Sequence, residues 1–173
     1  MGSESKIIIE EQKEISKFIK GIIICYQTGI YLVDLILDSK INPVLFSSFV
    51  GALGMFGNEN MGKIDEIIIK GLDIQMIIVN KYNLFLIAIL DKHFVKNDIH
   101  SEAEKALDLF YSLYRSNIEK CDPCQDINEF VPFKKALYQQ IKDYTYKSNQ
   151  IEKQSMVADF GFFTEAIAKM RND

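Results

Sequence analysis

Two runs of apolar and β-branched residues stand close together near the start of the chain. They cover residues 18–27 and 30–37, and the dipeptide Thr28-Gly29 separates them. β-branched residues favour strands, and a Gly-containing dipeptide between two such runs favours a tight turn. We therefore expect a β-hairpin at this position.

The next apolar segment has the marks of a helix. Asn42-Pro43 is a typical helix start, because Pro fits the first helical position, and Gly57-Asn58 is a typical stop. Residues 44–56 between these signals contain no charged side chain. The pattern predicts a helix over residues 43–56 that has no charged face to turn towards water.

Three more strand-like runs follow, at residues 63–70, 72–79 and 84–91. A link around Gly71 separates the first two, and residues 80–83 separate the last two. Short polar links of this kind join antiparallel neighbours. Together with the first hairpin, these runs predict a five-stranded antiparallel sheet.

Helical periodicity dominates the second half of the chain. Ser101-Glu102-Ala103-Glu104 has the capping-box pattern of a helix start. Pro132 suits the first turn of a further helix. Apolar positions recur at helical spacing after each signal: Ala103, Ala106, Leu107, Phe110, Leu113, Tyr114 and Ile118, and then Phe133, Leu137, Ile141 and Tyr144.

The two ends of the chain also suggest helices. Ile7-Ile8-Ile9 favours a strand but residues 10–16 favour a polar helix, and we assign the segment as helix. Residues 150–171 predict a C-terminal amphipathic helix with the stripe Met156, Phe160, Phe163, Ile167 and Met170.

The element order gives an α+β sandwich of two or three layers, β-β-α-β-β-β-α-α, with an additional C-terminal helix. No linker or internal repeat divides the 173 residues, so we expect a single domain over 1–173 with its core at 18–145.

Composition excludes some partners. The net charge is -4 and the isoelectric point about 5.3, with Lys and Arg scattered among acidic residues, which argues against nucleic acid. No apolar run approaches the roughly 20 residues of a membrane span. We expect a cytoplasmic protein, associated with membranes at most peripherally through a partner. The Ile-, Lys- and Asn-rich composition without Trp suggests an archaeal or bacterial source.

Catalytic signatures are missing from the sequence. It has neither a phosphate-binding Gly-x4-Gly-Lys motif nor a Gly-x-Ser-x-Gly elbow. Cys121 and Cys124 lack the second ligand pair that a zinc site needs, so we expect reduced thiols. His93 and His100 receive no role. We expect no enzyme activity, no cofactor and no metal.

Several segments resemble the longin fold and, with the N-terminal helix, the roadblock/light-chain fold. They are residues 19–24 leading through Gly29, Asn42-Pro43 with the helix 49–56, residues 64–67 and residues 84–90. The resemblance covers roughly residues 18–145. It implies a dimerising scaffold or subunit of trafficking and GTPase-control complexes, without catalytic residues. Sensor domains of the PAS and GAF type also wrap helices around five strands, so a small-molecule sensor is the alternative.

The uncharged helix is the expected interface. Its small residues leave room for another element to approach, and the resemblance implies pairing through this helix. The occupant is a second copy, a related subunit or a terminal helix of the same chain. The resemblance also implies a small GTPase as a partner. The candidate partner-binding residues are Val44, Ser47, Ser48, Gly51, Gly54, Met55, Met156, Phe160 and Phe163.

Overall fold

A computed structural model of the chain describes residues 2–71, 73–94, 98–120, 122 and 124–149. The chain divides into two units, residues 1–138 and 139–173. The elements of the first unit are α1 (Gly2–Ser16), β1 (Ile19–Tyr26), β2 (Tyr31–Ile36), α2 (Pro43–Asn60), β3 (Glu66–Lys70), β4 (Ile74–Lys81), β5 (Leu84–Asp91), α3 (Ile99–Lys120) and the 3-10 helix η1 (Ile127–Phe130). Residues 133–138 are helical at the end of this unit.

The five strands form one sheet in the order β2-β1-β5-β4-β3, and all neighbours are antiparallel. This confirms the predicted α+β class. Two tight turns fix the hairpins. In the turn between β1 and β2, Gly29 has a φ of 87°. In the turn between β4 and β5, Tyr82 and Asn83 both have positive φ, as a two-residue turn between twisted strands requires.

Helices cover both faces of the sheet, because alternate strand residues point to opposite sides. On one face Val50 of α2 packs into a cluster of buried strand residues: Ile23, Cys25, Met76, Ile78, Phe85, Ile87 and Ile89. The intervening residues of β1 and β5 are also buried, and α3 contacts β4 and β5 on that second face. The first unit is therefore a three-layer α/β/α sandwich.

Four aromatic rings close the core beside α3. Phe110 and Tyr114 of α3 meet Phe130 of η1 and Phe133, with ring centroids 5.0–6.3 Å apart. Phe130 is fully buried. The periodicity did not predict η1, because a single 3-10 turn is too short to produce a helical stripe.

Three helix predictions need correction. α2 does not end at Gly57-Asn58 but continues to Asn60, because the backbone N–H of the capping residue Met61 still donates to the Gly57 carbonyl at 2.7 Å. α3 begins at Ile99 and not at Ser101, since the buried Ile99 extends the packed face by half a turn. Leu113, a member of the predicted buried stripe, is exposed beside the non-helical backbone of Tyr114.

The predicted N-terminal helix is confirmed and includes Ile7, Ile8 and Ile9 as exposed residues. In the second unit, residues 139–149 are helical, and Ile141 and Tyr144 are buried as the stripe predicted. The predicted C-terminal helix lies outside the described residues. The single domain over 1–173 stays a prediction.

Candidate protein-interaction surface

The inner face of α2 consists of small residues and Val50. Asn42 caps the helix by accepting hydrogen bonds from the backbone N–H groups of Val44 and Leu45, at 3.1 and 3.2 Å. Ser47 is fully buried, and its hydroxyl donates to the Pro43 carbonyl at 2.8 Å. The backbone of Gly51 reaches the β1–β2 turn. Where α2 comes this close to the turn, it can carry only small side chains, while Val50 beside them packs into the sheet core.

Gly54 continues the contact along the helix. A Cβ atom on Gly54 would lie 2.6 Å from Cε2 of Phe85 in β5, and one on Gly57 would overlap Ile64. Ser47, Gly51, Gly54 and Gly57 thus fix the rotation of α2 about its own axis. Apart from Val50, its bulky side chains lie on the flanks and the outer side.

The outer side of α2 is an apolar surface, which we call the outer α2 face. Leu45, Phe49 and Phe56 are 67%, 50% and 63% exposed. The spacing of three and four residues places the members on one side of the helix. The outer α2 face consists of Leu45, Ser48, Phe49, Ala52, Met55 and Phe56. The first charged residue on α2 is Glu59.

The candidate partner-binding residues fall into three groups. Val44, Ser48 and Met55 are exposed as expected. The expectation of an open small-residue face is wrong, because Ser47, Gly51 and Gly54 lie against the chain's own β1–β2 turn and β5. Met156, Phe160 and Phe163 lie outside the described residues.

Sequence reasoning missed Leu45, Phe49 and Phe56, because it took the small residues of the helix as the side that another element approaches. The overlooked signal was the spacing of the small residues. Glycines at 51, 54 and 57 continue the position of Ser47 along one side of the helix. Repeated small residues mark the side of closest backbone approach, and here the sheet occupies it.

A cleft of about 730 Å³ opens at the end of the sheet where β1 begins and β5 ends. Some of its charges are already engaged: the Lys20 ammonium donates to the Ser16 carbonyl at 2.8 Å, and Asp91 accepts from the His93 backbone at 2.9 Å. The lining residues are Lys20, Asp38, Lys40, Ile41, Phe46, Asp73, Ile74, Asp91, Lys92 and His93. Charged side chains of both signs surround the cleft, but most of its lining surface is apolar and includes Ile41, Phe46 and Ile74.

The side chains with reactive groups are dispersed. Burial raises the pKa of the Cys25 thiol to about 12, which keeps it protonated and a poor nucleophile. Cys124 is exposed, and Cys121 is not among the described residues. His100 lies against Glu66 on β3, with Nδ1 3.2 Å from Oε1. Within the described residues, no group of three or more His, Cys, Asp or Glu side chains is arranged to hold a metal ion.

In the described part of the chain, every helix is too short or too polar to cross a membrane. No known family model and no curated protein matches the sequence.

Solved structures of two kinds are similar to the chain. MglB from Myxococcus xanthus is 14% identical over 62% of this chain and 84% of its own, with a TM-score of 0.48. A Roadblock/LC7 domain from Streptomyces avermitilis is 7% identical over 61% and 95%, with a TM-score of 0.48. The gliding protein MglB from Thermus thermophilus is 12% identical over 59% and 85%, with a TM-score of 0.43.

The chain itself has the element order that the resemblance predicted. An N-terminal helix precedes two strands, a helix, three strands and a further helix, around a five-stranded antiparallel sheet. The fold is therefore roadblock/longin-like.

Proposed function

We propose that this chain is a non-catalytic, protein-binding subunit that dimerises through the outer α2 face, and that the dimer binds and regulates a small GTPase in a trafficking-like complex. The observation that carries the dimer is the uncharged, exposed outer side of α2. Its large side chains include Leu45, Phe49 and Phe56.

Water is a poor environment for this face. Fully burying a Leu, Met or Phe side chain is worth roughly 1.5–3 kcal/mol, and the outer α2 face exposes several of them side by side. Contiguous apolar patches of this kind mark protein interaction sites. An occupant must itself be apolar, because no charged residue precedes Glu59 on α2.

A second copy of the chain satisfies this requirement. A twofold axis beside α2 brings the same apolar surface of both copies together, and such self-complementary interfaces are the commonest in oligomers. Phe49 and Ala52 lie in the middle of the face and would pack closest to the axis. Aromatic residues at the centre of an interface carry much of its binding energy.

The GTPase part of the proposal is supported by the roadblock and longin resemblance. A dimer of this chain would present two copies of every surface to a partner. The chain's own contribution would be binding, since its sequence has no phosphate-binding loop.

The dimer is tested with a charge placed on the outer α2 face. Leu45→Glu introduces a carboxylate at a position that is 67% exposed, so the monomer should still fold. Leu113→Glu is the matched control, because Leu113 on α3 is 60% exposed. We expect light scattering to show a dimer for the unmodified chain and Leu113→Glu and a folded monomer for Leu45→Glu. A Leu45→Glu variant that stays dimeric would contradict the proposed interface.

The GTPase part is tested separately, with small GTPases encoded in the same genome. Each is assayed for binding and for GTP hydrolysis with the unmodified dimer and with the Leu45→Glu monomer. We expect one of them to bind the dimer and change its hydrolysis rate. Failure of every such GTPase to bind would contradict this part and leave the dimer standing.

The cleft at the end of the sheet favours a second candidate, a small-molecule sensor. Its volume of about 730 Å³ is within the range of ligand sites, and most of its lining surface is apolar, as is usual for such sites. A sensor should retain a ligand when it is purified. Native mass spectrometry that shows a stoichiometric adduct, lost in Phe46→Ala, would support it, and a bare polypeptide mass would count against it.

A further inference from the structure

The cleft at the end of the sheet opens on the side that α2 covers. Ile41, Phe46 and Ile74 contribute to its apolar lining, and all three pack against the buried cluster between α2 and the sheet. They are only partly buried themselves. The cleft is therefore an open end of the core, where apolar side chains still meet water. An apolar ligand would remove this surface from water, which is favourable.

Charged residues from separate segments line the same cleft. Asp38 and Lys40 lie between β2 and α2, and Asp73 lies between β3 and β4. Lys92 follows β5 and is held beside the β3–β4 turn, because its backbone N–H donates to the Asp73 carbonyl at 3.4 Å. A lysine therefore lines the cleft from each of two different segments.

Three of the charges around the cleft already have partners within the chain. The Lys20 ammonium donates to a backbone carbonyl of α1 at 2.8 Å. Oδ1 of Asp38 accepts from the backbone N–H of Lys40 at 3.0 Å, and Oδ1 of Asp91 accepts from that of His93 at 2.9 Å. Both aspartates cap turns of the chain, so part of their hydrogen-bonding capacity is satisfied there.

The remaining charges favour an anion. Among the described residues, the side chains of Lys40, Lys92 and Asp73 have neither a hydrogen bond nor an ion pair. The imidazole of His93 also lines the cleft and can donate a further hydrogen bond. Two free ammonium groups and one free carboxylate leave an excess of positive charge, and charge complementarity then selects a negative ligand.

We propose that the cleft binds a small organic monocarboxylate with an apolar body. The carboxylate lies between the ammonium groups of Lys40 and Lys92, and the body packs on the apolar lining beside Phe46. Ligand sites commonly combine a mainly apolar lining with a few polar groups that fix orientation. The inference rests on the small-molecule sensor, the second candidate function, and it is independent of the dimer.

The aspartates limit the charge of the ligand. Asp38, Asp73 and Asp91 line the same cleft as the two lysines, so the net attraction for an anion is modest. A phosphate monoester carries about 1.5–2 negative charges at neutral pH. The cost of removing an ion from water rises with the square of its charge, while the attraction rises only in proportion to it. A single negative charge is therefore favoured over two.

Four ligands with the same phenyl-terminated four-carbon body isolate the contribution of the head group. They are 4-phenylbutyrate, 4-phenylbutanol, 4-phenylbutylamine and 4-phenylbutyl phosphate. Each is titrated into the isotopically labelled chain, and the dissociation constant is obtained from the backbone amide signals of Lys40 and Lys92 by nuclear magnetic resonance.

The carboxylate should bind at least about tenfold more tightly than the alcohol, because charge-assisted hydrogen bonds are roughly twice as strong as neutral ones. The amine should bind more weakly than the alcohol, and the phosphate more weakly than the carboxylate. An amine or a phosphate that binds as tightly as the carboxylate would overturn the proposed ligand class.

Substitutions of the lysines and of one aspartate should act in opposite directions. Lys40→Gln combined with Lys92→Gln should weaken the binding of 4-phenylbutyrate about tenfold and leave that of 4-phenylbutanol unchanged. Asp73→Asn should strengthen the binding of 4-phenylbutyrate about twofold, since it removes a repulsive charge. Lys63→Gln, at an exposed position outside the cleft, is the matched control and should change neither ligand. Unchanged binding of 4-phenylbutyrate by the double lysine variant would contradict the role of the lysines.

Failure of this inference can be distinguished from failure of the proposed functions. Light scattering measures the dimer without any ligand, so its result does not depend on the cleft. A purified chain that retains a ligand without a carboxylate would support the sensor but overturn the ligand class. If none of the four ligands binds at millimolar concentration, while circular dichroism shows a folded chain, the inference is wrong and the dimer is unaffected.

Discussion

Gly29 and Gly51 bring the β1–β2 turn into direct backbone contact with α2. A Cβ atom on Gly29 would lie 2.8 Å from the Ser47 carbonyl oxygen, and one on Gly51 would overlap the backbone of Gly29. Gly29 also has a φ of 87°, which favours glycine. This contact determines which side of α2 turns inward and therefore which side is available to a partner.

The contact predicts an unusual effect of Gly51→Ala. Alanine in place of glycine at an exposed helical position normally stabilises by about 1 kcal/mol. Here the methyl group meets backbone, so we expect a loss of about 1–3 kcal/mol, as for overpacking. Urea unfolding measures the change. Gly2→Ala, in α1 with open space around it, is the control, and a Gly51→Ala protein as stable as the unmodified chain would contradict the contact.

Tyr82 should depend on Tyr111 for its position in the β4–β5 turn. Its φ of 56° is unfavourable for a bulky residue. The ring stacks on Tyr111 with centroids 4.2 Å apart, and its hydroxyl donates to Asp108 at 2.6 Å. We expect Tyr111→Ala to lower the free energy of unfolding by about 1 kcal/mol. Ser112→Ala, at an exposed neighbouring position, should change it by less than about 0.5 kcal/mol. Equal effects of the two substitutions would argue against the stack.

Cys25 makes stability depend on alkaline pH. Burial raises the pKa of its thiol from 9.0 to about 12. Above pH 9 the unfolded chain loses this proton while the folded chain keeps it, so stability falls between about pH 9 and 12. Cys25→Ala removes the titration. We expect its urea midpoint to fall less steeply from pH 8 to 10 than that of the unmodified chain, and parallel curves would show that the thiol is not buried in this way.

Local patterns were sufficient for most of the sheet. The hairpin around Gly29 and the three later strands followed from β-branched runs separated by turn residues, because each signal lies within a few positions of its element. Strand β3 was predicted to begin at Lys63 but begins at Glu66. Residues 63–65 precede the pairing of β3 with β4, which begins at Glu66. Where a strand begins depends on its neighbouring strand, which the periodicity of one segment cannot identify.

The orientation of α2 could not be obtained in the same way. Every side of this helix lacks charge as far as Phe56, so the usual contrast between an apolar and a charged side is missing. Its rotation is set by tertiary contacts of Gly51 and Gly54 with residues distant in sequence. The sequence therefore indicated α2 as a candidate interface, which stays a prediction, but it placed the small residues of α2 on the open side of the helix.

The most direct test of the proposed dimer is the oxidation of two methionines. Met55 lies on the outer α2 face and is 56% exposed, while Met61 follows the helix and is 78% exposed. Both are accessible in a single chain, and oxidation to the sulfoxide is read by mass spectrometry. If a second copy covers the outer α2 face, protection of Met55 should increase with protein concentration while Met61 continues to react. Equal oxidation of Met55 and Met61 at every concentration would contradict the interface.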